Sequence, residues 1–291
     1  AKPLADIAQP YDCIVDEKDL GVLAGDWLMF DELIVTSAPS DANLTARYEF
    51  ENNFLDSGIH ANHLTDPCGT IPGFDTGVIG SFALSLDGLD DHLVVDGVGI
   101  SGTVPRTIAC WAKADHTNIP DGTLIFGFTT VGGGNGSHFN IASLGGGFCA
   151  NVGGWEETIF SDEQVLDWHH YAMSYDGTTI RYYGDGIEMD TEPSKSNDRV
   201  LTHADLVHVG KSATQGTCFP GKVDETRIYS VVLSKEEIAY LSTNGAPTLH
   251  VPISSDADLY KDETPGSQWI NFRDYALLAD KYLEEILWPA P

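Results

Sequence analysis

The chain has 291 residues, enough for one large domain with appendages or for two domains. Forty-four acidic against fifteen basic residues give a formal charge of -29, which argues against nucleic acid or an anionic membrane surface as a partner; calcium is the obvious counter-ion, and solubility is the plainer reading. No apolar run is long enough to cross a bilayer, and the five cysteines lack the CxxC or Cys/His spacing of a zinc or redox motif.

In chain order, the first predicted element is a helix over 17–29, where Leu20, Leu23, Ala24, Trp27 and Leu28 recur at helical spacing. After a polar linker around Pro39 and Ser40 the pattern changes to alternation, with short strand candidates at 93–95, 107–112, 124–128, 169–175 and 179–183, each ended by Gly, Asp or Asn. Many short strands at this spacing predict a mainly β chain, an antiparallel two-sheet jelly-roll sandwich. One helix interrupts them at 234–241, opened by the capping box of Ser234 and Glu237. Beyond a second linker, a last helix over 272–288 repeats Tyr275, Leu278, Ala279, Tyr282, Leu283, Ile286 and Leu287 on one face. The chain thus divides into a loop-helix segment at 1–36, a sandwich at 37–245, and a linker with a second loop-helix segment at 246–291.

The two ends match. Asp19, Leu23, Ala24 and Leu28 fall on Asp274, Leu278, Ala279 and Leu283 at one constant offset, and Trp27 falls on Tyr282. A short helix with one apolar stripe is marginal alone in water, so each half needs a partner. The halves resemble dockerin-type calcium repeats of secreted bacterial proteins, in which a calcium loop precedes each helix. That resemblance implies alternate oxygen ligands at loop positions one, three, five and nine and an acid at twelve. At the C-terminal end Asp258, Asp262, Asn271 and Asp274 fit positions one, five, nine and twelve, with Tyr260 at three and extra residues from Glu263 to Gln268. At the N-terminal end Asp12, Asp16 and Asp19 fit five, nine and twelve, Ala8 and Pro10 fall on one and three, and Asp6 supplies the missing acid if the loop is longer. The alternative is that Asp16, Glu17 and Asp19 are first-turn acids matched to the helix dipole.

Between the ends, six stretches carry a second resemblance: 46–51 with 53–58, 83–88, 168–177, and 221–229 followed by 233–238. Together, in this order, they resemble the laminin-G-like, concanavalin A-like jelly-roll family. The resemblance implies an antiparallel sandwich, often with a structural calcium, for which Asp224 is the first candidate ligand and Glu49, Asp56 and Asp87 are possible companions. Asp56 and Asp87 equally suit local turns. Trp168, His169 and His170 are expected in the sheet, the two histidines on opposite faces. Retaining glycan hydrolysis needs two carboxyl groups about 5 Å apart, and no Glu-x-Asp-x-x-Glu spacing, Gly-x-Ser-x-Gly or P-loop occurs. Phe139, Phe148 and Trp155 stand in Gly-rich stretches, as loop aromatics for stacking sugars or as core. Asn43 and Asn135 fit the N-glycosylation pattern.

A first residue other than Met, in Ala1-Lys2-Pro3, reads as a processed or trimmed end. The resulting expectation is a secreted, non-catalytic subunit at or outside the cell surface. It binds calcium and assembles head-to-tail with copies of itself through its terminal halves, with Leu20, Leu23, Trp27, Leu28, Tyr275, Leu278, Tyr282 and Leu283 at the joint. The alternative is a carbohydrate-binding or adhesive module whose halves close within one chain, with glycans as partners.

Overall fold

The computed structural model describes residues 5–28, 32–130, 138–145, 147–152, 155–161, 165–193, 206–213, 216–251, 255–260 and 269–282. The elements begin with α1 (Glu17–Gly25), β1 (Glu32–Val35), β2 (Leu44–Tyr48), β3 (Gly73–Thr76), β4 (Phe82–Asp87), β5 (Leu93–Val95), β6 (Arg106–Ala114) and β7 (Leu124–Thr129). Then come β8 (His138–Leu144), β9 (Gly147–Val152), β10 (Trp155–Ser161), β11 (His169–Tyr175), β12 (Thr179–Gly184) and β13 (Ile187–Pro193). The chain closes with β14 (Val207–Val209), β15 (Pro220–Tyr229), α2 (Lys235–Ser242), β16 (Thr248–Val251) and α3 (Phe272–Lys281). They form two compact units, one of residues 35–247 and one made from both ends, 1–34 with 248–291.

The larger unit is the predicted sandwich. One sheet has six strands in the order β10-β9-β8-β7-β14-β5; the other has eight, in the order β13-β12-β11-β6-β15-β4-β3 with β2 also on β15. Every pairing with a stated register is antiparallel, as expected when hairpins and returns connect strands that alternate in direction. Phe126, Phe128, Phe139, Phe148, Tyr171, Met173 and Phe219 fill the space between the sheets. Each such aromatic contributes about 1.5–3 kcal/mol of burial free energy. Phe139 and Phe148 are therefore core, not loop aromatics; the Gly-rich stretches around them are β8 and β9, strands buried on both faces. Trp155 opens β10, and its side chain lies outside the described residues. Inside the same core Arg106 lies 5.6–6.0 Å from the rings of Phe128, Phe139 and Tyr175, and burial lowers its pKa to about 10. It still carries its charge at neutral pH, and Nε donates to the Val104 carbonyl at 3.1 Å. The capping box at Ser234 and Glu237 opens α2.

In the smaller unit the two ends meet in one chain. Ala5, Ile7, Val15 and Leu23 from the first half and Ala257, Leu259, Ile270 and Leu278 from the second form one buried cluster, with Trp27 packed against it. The halves also match bond for bond. Asp19 Oδ1 accepts from the amides of Ile7 and Ala8 at 2.7 and 2.9 Å, and Oδ2 from Asp16 N at 2.8 Å. Asp274 Oδ1 accepts from Leu259 and Tyr260 at 2.7 and 2.8 Å, and Oδ2 from Asn271 N at 2.8 Å. Each acid thus closes a capping box and pins the start of its own loop, satisfying three backbone donors that burial would otherwise leave unpaired. Across the halves, Leu28 N donates to the Ile270 carbonyl at 2.9 Å, and Trp27 meets Phe272 edge to face at 5.1 Å.

Of the residues expected at a joint, Leu23 and Leu278 share this buried cluster within one chain; Leu20, Leu28, Tyr275 and Tyr282 stay exposed, and Leu283 lies outside the described residues. Both helices are also shorter than their apolar stripes. α1 stops at Gly25 with Asp26 as its cap, and α3 stops at Lys281 because Tyr282 leaves helical dihedrals, with φ -57° and ψ 129°.

Candidate functional site

The site begins with strand alternation in the six-stranded sheet. Phe128, Phe139, Ile141, Ala150 and Val152 point into the core, so their sequence neighbours face the other way. Register then aligns those neighbours: His208 stands opposite Gly127, Gly127 opposite Asn140, and Asn140 opposite Asn151, one row across β14, β7, β8 and β9. Thr129 and His138 form the next row. Gly127 has φ +136°, and a Cβ there would meet Asn140 and the Phe139 carbonyl at 2.7 Å, so only glycine lets β7 and β8 lie this close.

This outer face is polar and recessed. Asn140 is 1% exposed, Asn151 and His138 6%, and His208 7%. Thr129 Oγ1 lies 3.1 Å from His138 Nδ1 and 3.3 Å from Ser212 Oγ. His208 Nδ1 donates to the Lys211 carbonyl at 2.9 Å, and burial lowers its pKa to about 4, so the ring is neutral at pH 7. Asn140 Nδ2 donates to the Phe128 carbonyl at 3.0 Å. The side-chain oxygens of Asn140 and Asn151, however, are buried and accept no hydrogen bond. Leaving such an acceptor unpaired costs about 1–3 kcal/mol, which a ligand's O–H or N–H recovers. The row continues onto β10, where Glu156 stands opposite Asn151 in register.

The histidines singled out in the sequence lie on the other sheet, on opposite faces of β11. His169 Nδ1 sits 2.6 Å from Asp185 Oδ2, a bond that raises its pKa; His170 stacks edge-on against Trp111 at 5.6 Å, and burial lowers its pKa to about 3. The hydrogen bonds described for this pair include no hydroxyl or thiol nucleophile.

The four calcium candidates of the sandwich face separate partners. Asp224 is fully buried in β15 and accepts from Val78, Ile79 and Glu225 amides at 3.0, 3.1 and 2.8 Å, while burial pushes its pKa up to about 7. Asp56 accepts from Arg47, Gly58 and Asn62 amides, Asp87 from Leu89 N, and Glu49 pairs with Arg47 at 2.8 Å. Calcium takes six to eight oxygens, whereas the described neighbours of Asp224 are N–H donors, so its surroundings do not fit the ion. Among the described residues the one group of three metal-capable side chains within 4.8 Å is Asp87, Asp90 and Asp91.

At the N-terminal end the acids are likewise engaged by donors. Asp6 accepts from Cys13 N at 2.9 Å, Asp12 pairs with Lys18 at 2.6 Å, Asp16 accepts from Lys18 N, and Asp19 holds its three amides. Those acids thus face N–H and ammonium donors in the fold. Asp6, not Ala8, is the counterpart of Asp258: both are buried and each precedes a loop amide pinned by its half's helix acid. Asn271 caps α3 and Asp274 completes the box, while Asp262 lies outside the described residues. Of the glycosylation candidates, Asn43 ends a short turn before β2, and Asn135 lies outside the described residues. None of the five cysteines is in a disulfide.

The family model of the concanavalin A-like lectin/glucanases superfamily matches residues 87–239, more than half of the chain. The chain belongs to this superfamily. Among solved structures it resembles domain 4 of AbnA, a GH43 extracellular arabinanase from Geobacillus stearothermophilus, in complex with arabinotriose. The TM-score is 0.53 at 22% identity over 69% of this chain and 98% of that one. The binding domain of Paraclostridial Mosquitocidal Protein 1 follows with TM-score 0.56 at 14% identity, covering 70% of this chain and 52% of that one. A structure of botulinum neurotoxin type C, whose cell entry depends upon interaction with two ganglioside molecules, gives 0.54 at 14% identity, over 71% and 53%. The superfamily chain thus spans about half the length of the toxin chains, and these likenesses speak to the fold. No curated protein matches.

The row of Asn140, Asn151, Gly127 and His208 was missed in the sequence. β8 and β9 are covered on both faces and so lack the alternation that marks a half-exposed strand.

Proposed function

We propose that the chain is a non-catalytic carbohydrate-binding module of a secreted protein, and that the outer face of its six-stranded sheet receives the glycan. The observation that carries this reading is the pair of buried, unpartnered amide oxygens of Asn140 and Asn151, neighbours in register on that face. Sugar hydroxyls are the donors such acceptors lack, and neutral His208 and Thr129 add exchangeable donors and acceptors beside them. The likeness to an arabinanase domain in complex with arabinotriose agrees with this chemistry. The terminal unit is read as a clasp that ties the two ends of the chain together.

The test is a titration of arabinotriose and a panel of neutral oligosaccharides by calorimetry, on the native chain and on Asn140→Leu and Asn151→Leu. Each substitution removes a buried acceptor at similar volume, so the fold should hold while affinity falls about tenfold or more. Binding unchanged in both variants, or absent across the panel, would overturn the reading.

A further inference from the structure

A second binding place stands on the eight-stranded sheet, and it does not rest on the glycan reading above. Arg47 of β2 and Arg227 of β15 are directly opposite each other in an antiparallel register. Like charges so placed repel, and the chain carries only fifteen basic residues against forty-four acidic ones. The repulsion is met by Glu225, which accepts from Arg47 Nε and Nη2 at 3.1 Å each and from Arg227 Nη2 at 2.7 Å. Arg47 Nη2 also pairs with Glu49 at 2.8 Å.

Glu225 reaches both guanidinium groups only because β15 is irregular there. The register with β6 shifts between Asp224 and Arg227, and Glu225 takes φ +45°, a left-handed conformation that is strained for a side chain of its size. Bulges that re-aim a side chain, and strain held by the surrounding structure, are found preferentially at binding sites.

The two arginines line a cavity of about 300 Å³, walled by Tyr229 and Tyr240 and bordered by Asn244 and Asp41. The cavity is preformed. Asn244 and Gly245 hold φ +51° and +78°, Gly245 N donates to the Tyr240 carbonyl at 3.0 Å, and Thr243 Oγ1 donates to the Ala239 carbonyl at 2.8 Å. A guanidinium has five N–H donors, so Glu225 and Glu49 leave further donors on each arginine for a ligand. Arg47 is held by two carboxylates and Arg227 by one carboxylate and the Tyr229 phenol, which fixes both forks before a ligand arrives.

We propose that this cavity binds a carboxylated sugar, a uronic acid residue. The arginine pair recognises the carboxylate, and the phenols of Tyr229 and Tyr240 with the amide of Asn244 recognise the ring hydroxyls. A bare anion would leave most of the space and these polar walls unused.

The experiment titrates galacturonate, galactose and acetate separately into the native chain by NMR, following the arginine side-chain signals. Saturable binding of galacturonate, with galactose and acetate at least about tenfold weaker, is expected, as is weakening by added salt. Arg47→Gln should lose the binding. Asn244→Gly should weaken it several-fold while keeping the backbone conformation, which preserves the test if Arg47→Gln unfolds. Asn140→Leu should leave it unchanged, so this site and the sheet face succeed or fail separately. Acetate or galactose binding as tightly as galacturonate, no saturation by any of the three, or full binding in Asn244→Gly with its fold intact would each overturn the proposal.

Discussion

Among the described residues the terminal unit gathers eight buried apolar residues in its core, whereas the largest cluster of the sandwich gathers thirty-four. Both bury carboxylates against backbone amides, but with different consequences. In the terminal unit Asp19 and Asp274 each tie a loop to the helix of its half, beside the smaller described cluster. In the sandwich Asp56 and Asp224 anchor turns on a core that is already large, and the same surplus accommodates unpaired acceptors on Asn140 and Asn151. A large core can carry the cost of a binding face; a small one cannot.

The widest separation between the units should come from Phe148→Ala. Truncating this fully buried ring is expected to destabilise the sandwich by about 3–5 kcal/mol in denaturant unfolding, with amide exchange of the terminal unit unchanged. Equal loss of protection in both units would break the comparison.

Acid should act next, and on the sandwich first. His170 and His208 take up a proton only near pH 3 and 4 in the fold, but near 6.5 when unfolded. Below pH 6.5 the unfolded chain therefore binds more protons, and the stability present above that pH is lost as pH falls toward 4 and then 3, on the order of 3 kcal/mol per histidine. His170→Gln should flatten the stability profile between pH 6 and about 4; a profile as steep as the native one would reject His170 as a source.

A smaller and more local effect is expected from Asp274→Ala. It strands the amides of Leu259, Tyr260 and Asn271 and should cost about 2 kcal/mol in the terminal unit, read as faster amide exchange there with the sandwich transition in place. Asp19→Ala should do the same through Ile7, Ala8 and Asp16, and a silent Asp19→Ala beside a damaging Asp274→Ala would deny the equivalence of the halves. The smallest effect should follow a chelator. With the described carboxylates of the N-terminal loop facing N–H and ammonium donors, thermal unfolding should be unchanged by calcium removal, and a lower transition temperature would restore the ion to that loop.

Much of the architecture was legible in the sequence. The strand candidates at 93–95, 107–112, 124–128, 169–175 and 179–183 fall within β5, β6, β7, β11 and β12, and Ser234 with Glu237 marks the start of α2, because β-branched and aromatic runs ended by turn residues, and helix caps, are written in neighbouring residues. The candidate site was not legible. Among their glycines Phe139 and Phe148 suited a loop or the core alike, and Asn140 and Asn151 come together only through the pairing of β8 with β9.

By itself the sequence determined the chemistry of the two ends: matching stripes, matching acids and matching caps, all within a few residues of one another. Tertiary structure alone decided that the ends complete each other in one chain, that Arg47 faces Arg227 over a bulged strand, and that two asparagine oxygens share a buried face. Those outcomes depend on register between segments far apart in the chain, and a shift of one residue would turn each side chain to the opposite face.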